Sequence, residues 1–204
     1  MAMKRRSASV VRLTKGSVLG IALLVLAACQ APALPPPLPE LTYGHLEPIN
    51  LDVGRIEIVE QYVPPLKAPN VEHTFPTPPA TAMRQWAKDR LRAVGEIRTA
   101  RLVIKNASAI ETKLETRGGL RGAFTKDQSE RYDVTLDVVL EVRSEGGSAV
   151  AFANAVVTRS RTVSEGLSLS ERERVFHRMT ESLMDEVNSE LEKNIRQFLV
   201  QYLR

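Results

Sequence analysis

The sequence predicts an α+β fold, a mostly antiparallel sheet of about four strands with two helices packed on one face. The expected order is strand, helix, strand, strand, strand, helix. Three observations carry this. All 12 prolines fall between Pro32 and Pro79, so an extended front precedes a regular back. Apolar side chains then alternate with polar ones through Arg131 to Arg143. Two further stretches, one on each side of the strands, repeat apolar residues every three or four positions.

The elements follow in order. GRIEIVEQY, residues 54–62, alternates around Ile56 and Ile58 and reads as an edge strand stopped by Pro64-Pro65. Val63 to Pro76 is a long loop. Pro78-Pro79 can open a helix, because the first helical positions need no N–H donor, and Thr77 is the expected cap. Met83, Trp86, Ala87, Arg90, Leu91 and Val94 form its apolar stripe, with Gly95 as the stop. Trp86, the only tryptophan, is expected to anchor the core. A strand begins at Arg101, with Leu102 and Ile104 on one face, and resumes at Ile110 after a bulge near Asn106 to Ala109. Residues 117–126, RGGLRGAFTK, form a turn or loop.

The clearest strand follows. Tyr132, Val134, Leu136, Val138, Leu140 and Val142 point one way. Asp133, Thr135, Asp137, Glu141 and Arg143 point the other, with Val139 as the apolar exception. Glu145 to Ser148 is a hairpin turn. The returning strand, residues 149–163, sets Ala149, Ala151, Ala153 and Ala155 on one face, where a helix can approach closely. Ser170-Glu171-Arg172-Glu173 fits a capping box for the last helix. Its stripe runs through Phe176, Met179, Leu183, Val187, Leu191, Ile195, Phe198 and Tyr202. The expected use of that stripe is to cover the sheet, with its end at Phe198, Leu199, Tyr202 and Leu203 the part able to meet a partner.

The front carries a different message. Lys4, Arg5, Arg6, Arg12 and Lys15 precede an apolar run of 11 residues, Val18 to Ala28. A helix crossing a bilayer needs about 20, so the pattern reads as a secretory signal. Leu26-Ala27-Ala28-Cys29 resembles the lipobox of bacterial lipoprotein precursors. The resemblance implies cleavage before Cys29 and diacylation of its thiol. Two or three acyl chains, at about 0.8 kcal/mol per buried CH₂, hold a protein on a bilayer almost permanently. Gln30 rather than Asp after the cysteine implies delivery to the outer membrane. The expected organisation is therefore a signal over 1–28, a lipidated Cys29 and proline-rich tether over 29–53, and one domain over 54–204.

Charge has to be read after that cut. The whole chain carries 28 Lys/Arg against 24 Asp/Glu. Five of the basic residues and none of the acidic ones lie in 1–28, which leaves 23 against 24. The basic excess that would suggest nucleic acid therefore sits in the segment expected to be removed. Cys29 is the sole cysteine, so the domain has no internal disulfide to rely on.

No catalytic pattern is present: no P-loop, no dinucleotide-binding glycine loop and no G-x-S-x-G elbow. His45, His73 and His177 have no i, i+4 partner, and His177 is expected to be partly exposed on its helix. Asp133, Asp137 and Glu141 share a strand face, where an acid–base pair or simply a wet surface would look the same. No cofactor is implied. Arg117, Arg121 and Lys126 cluster in the glycine-rich loop, followed by Arg131. They could grip the phosphates of an anionic lipid or contact a partner, or form a solvated hairpin tip.

The order of lipobox, tether, strand, helix, three strands and helix is similar to small envelope lipoproteins that assist transport machines. Ala100 to Ile104, Arg131 to Leu136 and the acidic last helix resemble the lipopolysaccharide-assembly lipoprotein that sits inside an outer-membrane barrel. Arg84-Gln85-Trp86-Ala87 resembles the auxiliary lipoproteins of ABC-type lipid transporters. The resemblance implies a non-enzymatic outer-membrane accessory or scaffold on the periplasmic face, partnered by a barrel or transporter component. The alternatives are a periplasmic lipid carrier, with its ligand between the sheet and the last helix, and, less favoured, an enzyme acting on the cell wall.

Overall fold

The computed structural model describes residues 36–115, 128–164 and 166–204. One compact unit runs from Pro37 to Arg204. Its strands are β1 (Ile49–Leu51), β2 (Arg55–Glu60), β3 (Leu91–Ala93), β4 (Thr99–Asn106), β5 (Ala109–Lys113), β6 (Gln128–Arg143) and β7 (Ala149–Ser164). Its helices are α1 (Pro79–Arg90) and α2 (Leu169–Phe198).

The fold is α+β, with a mostly antiparallel main sheet. β6 is its spine, because a strand of 16 residues is long enough to take neighbours on both sides. β7 pairs antiparallel along one side of β6 for nearly its full length. β4 and β5 pair end to end along the other side. Ala107 and Ser108 separate these two, within the stretch expected to bulge, and the register shift itself lies inside β4, between Ile104 and Asn106. β2 lies outside β4 and pairs with it in parallel. Parallel pairing needs a crossover, and α1 supplies it. The hairpin between β6 and β7 turns at Gly147, whose φ of 79° is a conformation glycine adopts without strain.

Both helices lie on one face. Tyr132, Val134, Leu136, Val138, Leu140 and Val142 of β6 are all buried in a single cluster with Met83 and Trp86 of α1 and Leu183, Val187 and Leu191 of α2. Trp86 is the expected anchor, and its indole N–H donates to Asn188 Oδ1 across the helix pair at 2.7 Å. Ala153 and Ala155 are buried where α2 covers β7. Ala151 is only partly buried and Ala149 is exposed, so the close approach uses two of the four alanines.

Five local expectations are corrected. Helix α1 stops at Arg90, because Leu91 to Ala93 leave it to pair in parallel with Ile49 to Leu51. Val94 is consequently exposed. The N-cap of α1 is Pro78, with no side-chain cap, while the Thr77 carbonyl accepts a hydrogen bond from Thr180. The capping box of α2 is Ser168 with Glu171, not Ser170 with Glu173. Both pairs satisfy S-x-x-E, and the earlier one sits where the chain enters the helix. Phe198 is exposed, whereas Leu199 is buried and Tyr202 and Leu203 pack against the core. His177 is buried at 4 % exposure, with neither ring nitrogen hydrogen-bonded.

The compact unit also takes in residues that the sequence leaves to the tether. Tyr43, Ile49, Leu51 and Val53 are buried. The β1–β3 crossing brings backbones so close that a Cβ on Gly95 would meet the Asp52 carbonyl carbon at 2.7 Å. One on Gly54 would meet the Glu96 carbonyl oxygen at 2.4 Å.

Candidate functional site

The face of the main sheet opposite the helices is open, and its side chains form cross-strand rows. Glu57 of β2, Arg101 of β4 and Glu141 of β6 face one another across three strands. Arg101 donates to Glu57 at 2.9 and 3.1 Å, and Arg55 donates to the same carboxylate. The hydrogen bond from Arg101 is the main reason the Glu57 carboxyl is held below its ordinary value. Arg143 donates to Glu141. Further along, Asp133 accepts from Arg131 and Ser160. Burial pushes the Asp133 carboxyl up, but these bonds outweigh it and hold it low.

Between the charged rows runs an apolar one. Val59, Val103 and Val139 are cross-strand neighbours, and Val103 and Val139 are buried under the flanking side chains. The row stops at β6, because the β7 partner of Val139 is Asn154; the apolar residues of β7 stand beside it, Phe152 across from Glu141 and Val156 across from Asp137. Phe152 is 61 % exposed, Val156 53 % and Val150 48 %. Three large apolar side chains therefore stand on the open face of a 16-residue strand that, among the described residues, pairs with β6 alone. One carbonyl of β7, that of Asn154, is taken by the Asn194 amide of α2 at 2.7 Å. An exposed, long and apolar edge is a template for strand addition.

The opposite edge is treated differently. The proline-rich loop crosses β5 and pairs with it. Val71 N–H donates to the Ala109 carbonyl, and Glu111 N–H donates to the Pro69 carbonyl. Buried Glu72 fastens the crossing by accepting from Tyr62 Oη at 2.9 Å and from Ala109 N–H at 3.1 Å. Burial, with the Glu72 bond second, pushes the Tyr62 hydroxyl up to about 12. Glu72 does not stand out in the sequence, since a carboxylate in a loop reads as solvated.

A second polar cluster lies beside it on the helix face. Glu130 accepts from Tyr132 and Arg172, and Arg172 also donates to the Tyr132 hydroxyl. A cleft of ≈380 Å³ at the end of the sheet gathers Arg55, Arg98, Arg101 and Arg143. Each guanidinium there already has a partner: Arg55 and Arg101 hold Glu57, and Arg143 holds Glu141. Arg98 stands 4.0 Å from Asp52 and over the Tyr202 ring. The cleft is therefore internally paired.

Of the sequence-predicted site residues, Cys29, Arg117, Arg121 and Lys126 lie outside the described residues, as does the signal over 1–28. Asp133, Asp137 and Glu141 share the open face, where Asp133 and Glu141 are tied to arginines. Arg159 pairs with Glu186 of α2. His45 and His73 are exposed and far from each other in sequence. Among the described residues, no group of three or more His, Cys, Asp or Glu could share a metal ion. No described helix is long and apolar enough to cross a membrane. No family model matches the chain, and no curated protein matches it.

Proposed function

We propose that the chain is a non-enzymatic lipoprotein, anchored to the periplasmic face of the outer membrane through Cys29. It serves as an accessory or scaffold in envelope lipid or lipopolysaccharide transport or assembly. The anchor rests on the basic flank, the short apolar run and Leu26-Ala27-Ala28-Cys29. The scaffold role rests on one observation: β7 presents Val150, Phe152 and Val156 beside an edge that pairs with no further strand among the described residues. The lipid fixes the domain near the membrane, the tether sets its reach, and β7 receives an extended segment of a barrel or transporter component.

The carrier reading has less support. It needs room between the alanine row and the α2 stripe. Ala153, Ala155, Leu183, Val187 and Leu191 are all buried in one continuous cluster there. A well-packed interface of this kind leaves an acyl chain nowhere to lie.

The test is a photo-crosslinking residue placed at Phe152 of the lipidated protein in native membranes, with Cys29→Ala as the control. An envelope protein crosslinked from position 152 and lost in Cys29→Ala supports the reading. Crosslinking to lipid alone, or to nothing, overturns the scaffold role. Retention of Cys29→Ala in the outer-membrane fraction overturns the anchor.

A further inference from the structure

Three strands lie at the edges of the main sheet. The proline-rich loop crosses β5, and β2 carries Arg55, Glu57 and Glu60. Charges of this kind keep an edge strand from pairing with another chain. β7 has no such guard on its open face. Its residues there, from Val150 to Thr162, bear apolar, amide or hydroxyl side chains, and none is charged.

The backbone of that edge is turned outward. Thr135 N–H of β6 donates to the Ser108 carbonyl, on the side away from β7. Alternate residues of a strand turn their backbone groups the same way, so Asp137, Val139 and Glu141 follow Thr135. Their partners on β7 are Thr158, Val156, Asn154 and Phe152, which therefore point N–H and C=O at the free edge. The Asn154 carbonyl, reached there by the Asn194 amide, agrees with this.

We propose that β7 pairs antiparallel with β7 of a second copy of this chain, about a two-fold axis at Asn154. A two-fold interface has to be self-complementary, and the residue order of β7 is. Pairing about Asn154 sets Phe152 against the second copy's Val156, and Val156 against its Phe152. Centring on Ala153 or Ala155 would set Phe152 against Asn154 or Thr158 instead. On the helix face the Asn154 register sets Ala153 against Ala155 and Arg159 against Ala149, so no like charges meet. Centring on Ser160 would face Arg159 with Arg161. The Asn154 carbonyl has a second lone pair for the N–H of its counterpart, so the Asn194 bond can stay. The pairing uses the edge assigned above to an envelope segment and rests on that reading for its role: the second copy covers the edge until the segment replaces it.

Single cysteines read the register. At the axis of a hydrogen-bonded antiparallel pair the Cα atoms are about 5.5 Å apart, within the span a disulfide bridges. Asn154→Cys, Thr158→Cys and Thr162→Cys are introduced into the lipidated protein, purified without other envelope proteins. Tagged and untagged copies are mixed in nonionic detergent at about 100 µM and oxidised. The expected result is a disulfide dimer holding both tags from Asn154→Cys. Thr158→Cys and Thr162→Cys, which lie far from their own counterparts, should give at least about tenfold less. Adding Phe152→Lys to Asn154→Cys should cut the yield roughly tenfold, and circular dichroism confirms that this variant folds. A dimer in the parent would mark Cys29 as unlipidated and count against the anchor alone; the cysteines are then read in Cys29→Ala. No dimer from Asn154→Cys, equal yields at the three positions, or no loss with Phe152→Lys overturns the pairing. Each of these outcomes leaves the docking of an envelope segment standing, because no such segment is in the sample.

Discussion

Glu72 accepts the backbone N–H of Ala109 at 3.1 Å, joining residues 37 positions apart at the point where β4 gives way to β5. The bond explains how a loop of prolines stays fixed to a sheet. Glu72→Ala leaves the Ala109 N–H and the Tyr62 hydroxyl without their acceptor. The expected loss of unfolding free energy is about 2–4 kcal/mol. Glu72→Gln keeps an acceptor and should lose less. Urea denaturation of the two variants measures the difference, and equal losses would count against this account.

Ala155 sets how closely α2 lies on β7. It is fully buried, and the helix has no slack where its stripe is buried on both sides. Ala155→Leu should therefore destabilise by about 1–3 kcal/mol through overpacking. Ala149→Leu, at an exposed position of the same strand, should stay within about 0.5 kcal/mol of the parent. Thermal unfolding of the pair decides it.

Glu130 makes stability depend on pH. Burial raises its carboxyl, but hydrogen bonds from Tyr132 and Arg172 together outweigh that and hold it below the ordinary 4.5. A carboxyl depressed on folding stabilises the protein above its unfolded value and loses that contribution as pH falls through the folded one. The gap in urea midpoint between the parent and Glu130→Gln should thus be widest near neutrality and shrink below pH 4.5. A gap that stays constant down to pH ~3 would show that Glu130 is not held low.

Phe152 separates stability from docking. Its side chain is 61 % exposed, so Phe152→Ser should change stability by no more than about 0.5 kcal/mol. The same variant, combined with Val156→Ser, should abolish recovery of the envelope partner from crosslinked membranes. Undiminished recovery would move the docking surface elsewhere.

Much of this fold is legible in the sequence, because β6, β7 and α2 are long enough for their periods to speak. Tyr132 to Val142 alternate with Val139 as the one exception, and all six inward residues are buried. What escapes is short or nonlocal. Ile49 to Leu51 is too brief to show a period and gains its identity only from Leu91 to Ala93, a segment whose Leu91 the helical spacing assigns to the helix. The burial of His177 is likewise set by tertiary packing, since its helix position borders the stripe. Of the candidate site, the apolar exception at Val139 is visible in the sequence. Its alignment with Val103 and Val59 is not, because that depends on cross-strand register.

The small sheet has a mechanical consequence. Asp52 N–H donates to the Tyr202 carbonyl at 2.8 Å and Arg204 N–H to the Asn50 carbonyl at 3.1 Å, so residues 202–204 run beside β1 on the side away from β3. β1 is thereby clamped between two neighbours, close to where the chain enters the domain. Tension arriving along the front of the chain is borne first by the hydrogen bond from Tyr43 N–H to Asp89 and then, in shear, by β1. The five-stranded sheet lies beyond this clamp, and its exposed edge keeps its shape while the front of the chain is under load.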